Sequence, residues 1–402
     1  MHEYVIRNHY LKRLQKEQGN ELIKVITGLR RSGKTYVLKM YQDYLKQQGI
    51  LEAQIVYLNF ESFQNEKLKI ANNLYDYVMA KNTKETLYLM FDEIQMVKDW
   101  QKVINSFRVD LNADIYITGS NASLLSGELA TLIAGRYTEI QVFPLSFSEF
   151  LQFKSMDKKD ERVVRKGYKE YFEYGGMPTL ARLRDGEAKY DYLSATYDSI
   201  LLKDVSSREY GAKNVDTLQR IALFLMDSIG SEVSISKLEH RLRSNKIGVG
   251  RNTLNTYLRL MEDAYAFYHV PKFDIKGAKQ LSTNGKYYIC DIGLWNAQIQ
   301  QVNSDLGHKL ENLVFLELLR RKYSIQVGAY DSKEVDFLVM RNGKKEYYQV
   351  AYNMPKKSTR EIENLLNIPD NYRKVVITNE MPEDREYKGI VFINIVDWLL
   401  EE

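Results

Sequence analysis

Cysteine is nearly missing. The chain has one, Cys290, which excludes a disulfide framework and a cysteine-rich zinc site. Its five histidines are scattered, which argues against a histidine-built metal centre. Charge of one sign is also scarce in excess: Lys+Arg 57 against Asp+Glu 53 leaves a net +4. A surplus that small does not announce a nucleic-acid binder, so any basic surface must be local. No uncharged apolar run reaches the ~20 residues that span a bilayer. The opening stretch, Met1 to Leu14, carries Arg7, Lys12 and Arg13 and no apolar block. No signal peptide is therefore expected, and the default location is the cytoplasm with no membrane attachment. Against these absences stand 402 residues, 44% of them hydrophobic and 27% charged, enough apolar material for two or three separate cores.

Residues 1–150 alternate short apolar runs with helical patterns. The runs are Leu22–Thr27, Ile55–Phe60, Thr86–Phe91, Asp114–Thr118 and Glu139–Phe143. They read as strands buried on both faces. Helical patterns such as Lys34–Gln48 lie between them, and this alternation predicts an α/β fold with a mostly parallel sheet. After Pro144 the period changes. Residues 145–230 read as amphipathic helices with a break at Gly175-Gly176-Met177-Pro178. Residues 231–290 read as a compact helical unit followed by a hairpin. From about Leu306 a long helix precedes further strands and helices.

Gly28-Leu29-Arg30-Arg31-Ser32-Gly33-Lys34-Thr35 fits the P-loop pattern in full, after a strand and before a helix. Gly28 and Gly33 let backbone N–H groups curl around phosphate oxygens without Cβ clashes. The helix N-terminus adds partial positive charge. Lys34 reaches the β- and γ-phosphates, and the Thr35 hydroxyl ligates Mg²⁺. Gly28, Arg31, Ser32, Gly33, Lys34, Thr35 and Tyr36 form the candidate ATP-binding set.

Leu87–Glu93 supplies the second acidic strand that a hydrolysing P-loop needs, with carboxylates emerging at its C-terminal end. Asp92 is expected to hold Mg²⁺ through its water shell, and Glu93 to orient and polarise the attacking water. A third strand ends in Thr118-Gly119-Ser120-Asn121. Asn121, with Thr118 and Ser120 as alternatives, could sense the γ-phosphate; it could equally cap a helix beginning near Ala122. Arg136 could neutralise charge developing on the γ-phosphate, from the same chain or from a neighbour.

Gly28–Thr35 with its Arg30-Arg31 pair, Asp92-Glu93, Thr118–Asn121, Gly135-Arg136 and Pro144–Phe150 together resemble the prokaryotic AAA-type ATPases that carry a C-terminal domain of unknown function. Gly175–Pro178, Leu201–Val205, Lys286–Leu294 and Glu334–Phe337 are similar to the same group. The resemblance runs almost end to end. It implies a P-loop ATPase core over 1–150, a helical linker or lid over 151–215, a winged-helix domain over 216–300 and a restriction-endonuclease-like α/β domain over 301–402. It also implies that Arg136 acts as an arginine finger and that neighbouring subunits of a homo-oligomer share the ATP site.

In the middle region, Ser234–Arg243 and Gly250–Asp263 read as two helices. Leu254, Leu258 and Met261 recur at core spacing. Arg251, Asn252, Asn255 and Thr256 open the other face, as the polar start of a recognition helix does. Phe267–Val270 and Tyr287–Cys290 form a candidate wing, with Lys272, Lys276, Lys279 and Lys286 along it. From 231 to 290 ten Lys/Arg, Lys246 among them, oppose five Asp/Glu. This local excess points to DNA contact; the alternative is a lid or a protein-docking surface. Arg251, Asn252, Asn255, Lys276 and Lys279 are the candidate nucleic-acid residues.

In the C-terminal region, Glu311 sits in an apolar helix, Leu310–Leu319. Glu334–Val339 reads as a strand carrying Asp336, and an Asn342-Gly343 hairpin leads to Tyr347–Ala351. A helix glutamate, a strand aspartate and a Glu/Gln-x-Lys would make a metal-dependent nuclease. Here Gln349 takes the acidic position and Ala351 the lysine position, so Glu311, Asp336 and Gln349 are expected to form a degenerate, inactive site. The whole reads as an Mg²⁺-dependent ATPase acting on DNA; the alternative is a nucleotide-gated regulatory or scaffold protein with slow turnover and a protein partner.

Overall fold

Five of the apolar runs pair side by side. The computed structural model describes residues 5–125, 135–206, 215–244, 247–277, 279–299, 306–331, 333–353 and 360–401. Its first strands are β1 (Ile23–Thr27), β2 (Ile55–Asn59), β3 (Leu87–Asp92), β4 (Ala113–Thr118) and β5 (Tyr137–Gln141). They form one sheet in the order β2-β3-β4-β1-β5, with every neighbouring pair parallel. Successive side chains point to opposite faces. Val25, Leu89, Phe91 and Ile117 therefore join one core, with Ile104 and Phe107 of the helix Trp100–Asp110. Ile26, Met90 and Tyr116 join the other, with Val37 and Tyr41 of the helix Lys34–Gln47. Two covered faces explain why β1 and β3 are buried throughout.

Lys24 is the charged exception in this sheet. It is fully buried on β1 and ion-paired with Asp114 of the adjacent β4. Asp114 also accepts from the Tyr116 hydroxyl at 2.8 Å and from the Gly19 amide at 3.0 Å. The carboxylate is thus satisfied by three donors, as a buried charge requires.

The chain divides into two compact units. One holds the chain up to Pro144 together with Asp263–Tyr265, and the other holds the rest. The expected division near residue 150 falls at Pro144. The second unit contains β6 (Glu232–Val233), β7 (Phe267–Asp274), β8 (Lys279–Ile289), β9 (Ser324–Tyr330), β10 (Lys333–Arg341), β11 (Lys344–Ala351), β12 (Arg373–Thr378), β13 (Glu386–Tyr387) and β14 (Ile390–Asn394). They make one nine-stranded sheet in the order β13-β14-β12-β11-β10-β9-β7-β8-β6.

One sheet holds strands from both sides of the expected division near residue 300. β7 pairs in parallel with β9, Lys272 opposite Val327. The hairpin read as a free wing therefore gives its open edge to the C-terminal strands. An unpaired strand edge is a liability that pairing removes. Apart from Asp263–Tyr265, the segments 151–215, 216–300 and 301–402 share one compact unit. Other local readings hold: Asn342 and Gly343 both have positive φ, 50° and 76°, and turn β10 into β11 with Arg341 opposite Lys344. Leu254, Leu258 and Met261 are buried along the helix Arg251–Asp263. Among the described residues, no helix is long and apolar enough to cross a membrane.

Removing one partner of a buried pair strands the other charge, at a cost of about 3–5 kcal/mol. Asp114→Ala is therefore expected to lower the urea unfolding midpoint of the first unit sharply. A midpoint equal to that of the unsubstituted protein would refute the role given to this pair.

Candidate functional site

The chain leaves β1 at Thr27, turns through Gly28 and enters the helix Lys34–Gln47 after Gly33. Both glycines hold positive φ, 133° and 103°. A Cβ on Gly28 would lie 2.2 Å from the Val142 carbonyl oxygen, so the backbone approach itself demands glycine. Lys34 opens the helix and is buried. Its ammonium donates to the carbonyls of Gly28 at 3.0 Å and Leu29 at 3.1 Å. The Ser32 hydroxyl is buried with no hydrogen-bond partner among the described residues. Thr35 is half-buried in the first helical turn, while Arg31 and Tyr36 are exposed. A buried ammonium, an unengaged hydroxyl and a helix N-terminus fit a phosphate chain carrying a divalent cation.

The acidic strand β3 lies two places from β1 in the sheet, with β4 between them. Asp92 is fully buried. Its Oδ1 accepts from the Thr118 hydroxyl at 2.6 Å. Its Oδ2 accepts from Asn59 Nδ2 at 2.9 Å and from the Tyr57 hydroxyl at 3.3 Å. The register explains this set: Asn59 lies opposite Asp92 on β2, and β4 flanks the other side. Asn59 and Tyr57 were not anticipated from the sequence. The available signal was that Asn59 is the last residue of the strand preceding the acidic one.

Glu93 follows in a left-handed conformation, φ 55°, and its amide donates to Thr118 Oγ1 at 2.9 Å. Its carboxylate accepts from the Gln95 side-chain amide. Burial raises the Glu93 pKa above the ordinary carboxylate range, against the pull of the Lys34 ammonium and the Gln95 hydrogen bond. A carboxylate with raised affinity for a proton is suited to taking one from water. Of the three candidates at the end of β4, Thr118 is the one whose hydroxyl touches both Asp92 and Glu93. Asn121 is half-buried, and its carbonyl accepts from the Leu124 amide at 3.2 Å, opening the short 3-10 turn Ala122–Leu125.

Arg136 requires a correction to one of its two expected roles. Tyr137 lies opposite Ile23 in parallel register, and the Ile23 amide donates to the Arg136 carbonyl at 2.9 Å. Arg136 therefore sits at the start of β1, whereas the phosphate loop follows its end. Five strand residues at ~3.3 Å each separate them by about 16 Å. Its side chain is exposed.

The second unit gathers Glu311, from the helix Leu306–Arg320, with Asp336 and Gln349. The Asp336 amide donates to Gln349 Oε1 at 3.3 Å, and the Val350 amide to Asp336 Oδ2 at 2.9 Å. Among them lies the Lys286 ammonium, 2.9 Å from Glu311, 2.8 Å from Glu334 and 3.5 Å from Asp336. Tyr288 donates to Glu311 at 2.6 Å. Lys286 was expected along an exposed wing; it is 2% exposed. Strand alternation turns Lys286 and Tyr288 of β8 to the same face, and the carboxylates keep the charge there. Burial alone would depress the lysine pKa, but the carboxylates outweigh it and raise it. Asp336 is pushed up to about 7, by burial first and then by Glu311, against Lys286. Among the described residues no group of three His, Cys, Asp or Glu side chains could hold a metal ion.

Arg251, Asn252 and Asn255 are exposed at the start of their helix, and Lys279 is exposed on β8. Much of the local positive surplus is neutralised in place. Lys276 pairs with Asp331 at 3.0 Å, Lys272 with Glu232 at 2.8 Å, Arg241 with Asp227 at 2.9 Å and Arg243 with Glu239 at 3.0 Å. Lys246 lies outside the described residues.

Residues 20–151 match the AAA domain, and residues 165–305 match a domain of unknown function (DUF8612). An uncharacterized protein of Haemophilus influenzae is 45% identical over 99% of this chain and 99% of its own length. An uncharacterized protein of Methanocaldococcus jannaschii is 34% identical over 83% of this chain and 75% of its own. Among solved structures, a Walker-type ATPase of Pyrococcus abyssi aligns with a TM-score of 0.47 at 14% identity, covering 73% of this chain and 95% of that one.

The raised Asp336 pKa carries a sign. The folded state binds this proton more tightly than the unfolded chain, whose carboxyl titrates near ~3.9. The stabilisation is complete below that value and is lost as pH rises through about 7. Glu311, Glu334 and Lys286 are the charged groups facing it. Asp336→Asn keeps an acceptor for the Val350 amide and removes the titration. Its unfolding midpoint is expected to gain on that of the unsubstituted protein between about pH 5 and pH 8. Identical pH dependence in the two proteins would contradict the assignment.

Proposed function

The chain belongs to the protein family that includes its Haemophilus influenzae and Methanocaldococcus jannaschii relatives, with an AAA domain in its N-terminal region, and we propose that it is a magnesium-dependent ATPase acting on DNA. The observation that carries the reading is the Thr118 hydroxyl, which donates to Asp92 and accepts from the Glu93 amide. It fixes the Asp92 carboxylate and the Glu93 backbone together at the end of β3.

In this reading the loop amides and Lys34 bind the phosphates, the ammonium leaving its own carbonyls for the charged oxygens. Thr35 and Asp92 would hold the magnesium ion, which when bound neutralises charge on the β- and γ-phosphate oxygens. Asn59 and Tyr57 hold the Asp92 carboxylate in place by donating to it. Glu93 accepts a proton from the attacking water. Arg136, too far from its own loop, serves the site of a neighbouring copy in a homo-oligomer. Contacts to the terminal phosphate exist before hydrolysis and vanish after it, which is the basis of a switch.

The DNA part rests on the helix Val215–Asp227, β6, the helices Ile235–Ser244 and Arg251–Asp263, and the hairpin β7–β8, taken in the order of a winged helix. Arg251, Asn252 and Asn255 present an exposed polar start on the helix that such folds insert in the major groove. Lys276 and Lys279 extend that surface. The pairing of the neighbouring basic residues favours a second reading, a nucleotide-gated scaffold that engages a protein. Cleavage of DNA is not expected, since the Lys286 ammonium fills the centre of the carboxylate cluster.

Glu93→Gln is expected to retain ATP affinity and lose about 10²-fold or more in turnover, whereas Lys34→Ala loses binding itself. Glu93→Gln turning over at the unsubstituted rate would sink the water-activation role. In the same assay, mixing Arg136→Ala with Lys34→Ala protein is expected to restore activity that neither has alone; no recovery at any ratio argues against a shared site. For DNA, Arg251→Ala should reduce the dependence of log affinity on log salt by about 1. Turnover and binding that ignore duplex, single-stranded and branched DNA alike would favour the scaffold.

A further inference from the structure

Arg7 is a buried arginine, 4% exposed, that the ATPase reading leaves without a task. Its backbone opens the helix Asn8–Glu17, but its side chain turns elsewhere. Nη1 donates to the Ser32 carbonyl at 3.0 Å. Nη2 donates to the Phe143 carbonyl at 3.0 Å and to that of Pro144 at 3.4 Å. The guanidinium lies 4.5 Å from the centre of the Tyr10 ring, and the Tyr10 hydroxyl accepts from the Phe143 amide at 3.0 Å. One planar fork thus bridges the phosphate loop to the segment that follows β5. That segment already runs against the loop, since the Val142 amide donates to the Thr27 carbonyl at 2.8 Å.

The direction of the Ser32 carbonyl has a consequence for the next amide. In a planar trans peptide the C=O and the following N–H point in opposite directions. Holding the Ser32 oxygen outward on Arg7 turns the Gly33 N–H the other way, toward the space enclosed by Lys34 and the loop. Gly33, with φ 103°, has the least intrinsic preference for any one orientation of that peptide. A rigid fork with several donors suits this task better than a single ammonium.

We propose that Arg7 is a positioning residue for the phosphate loop: it sets the Gly33 amide for a phosphate oxygen and ties the loop to residues 143–144. The proposal rests on the ATPase reading. It makes nucleotide affinity, rather than the stability of the empty protein, the property that depends most on Arg7.

The test uses the full chain. ATP affinity with magnesium, and the melting temperature without nucleotide, are measured for the unsubstituted protein, Arg7→Met, Arg7→Lys and Tyr10→Phe. Arg7→Met is expected to bind ATP at least tenfold more weakly in the fraction that is folded. Arg7→Lys, which lacks the planar fork that reaches Ser32, Phe143 and Pro144, should lose at least fivefold. Tyr10→Phe, which keeps the fork, should stay within twofold. A purely structural arginine would lower the melting temperature and leave the affinity of the folded protein unchanged, and that result overturns the proposal. Should Arg7→Met not fold, Arg7→Lys binding as tightly as the unsubstituted protein overturns it alone. Failure of the unsubstituted protein to bind ATP is a separate result, visible before any substitution; it removes the ATPase reading and this proposal with it.

Discussion

The Lys34 ammonium turned back on its own loop is the interaction on which the rest depends. It is buried, so its charge must be met, and the carbonyls of Gly28 and Leu29 meet it. Those carbonyls are available because Gly28 takes a conformation and a closeness to Val142 that a side chain would forbid. The helix behind Lys34 is in turn held by the core that Val37 and Tyr41 share with β1, β3 and β4. A loop of eight residues is thereby given its shape from three directions: below by the sheet, behind by the helix and inside by the lysine.

Three buried lysines show how partner chemistry separates structure from a candidate for function. Lys24 faces a carboxylate that two other donors also satisfy. Lys286 is surrounded by three carboxylates. Both are closed sites, in which any competing anion would have to displace an ionised partner. Lys34 donates to two carbonyl dipoles and feels the Glu93 carboxylate through space; charge-assisted hydrogen bonds are about twice as strong as neutral ones. The same ammonium group is locked in an ion pair in two places and donates to loop carbonyls in the third.

The core and the phosphate loop were legible because their constraints are local. Five short apolar runs, glycines at fixed offsets and an acidic strand end each follow from a few consecutive residues. The strand limits moved by only a residue or two, and Leu254, Leu258 and Met261 fell on the buried face that their spacing predicts. What was not legible depends on strand order. Asn59 reaches Asp92 only because β2 adjoins β3. Arg136 lies at the wrong end of the sheet for its own loop only because β5 runs parallel to β1. Lys286 left the expected wing for a carboxylate cluster assembled from residues 311, 334 and 336. Local charge counting could not see those partners, and it therefore overstated the basic surface between residues 231 and 290. The β7–β9 pairing was hidden for the same reason, since it joins segments that look unrelated in sequence.

The most direct measurement of the central claim is hydrogen exchange at the backbone amides of residues 28–35, with and without ATP and magnesium. Phosphate oxygens seated on those amides should slow exchange in the peptide that spans Gly28–Thr35, and the slowing should vanish when the nucleotide is withdrawn. Unchanged exchange there at saturating nucleotide would mean that the loop does not receive phosphate, and the account built on Lys34 would be wrong.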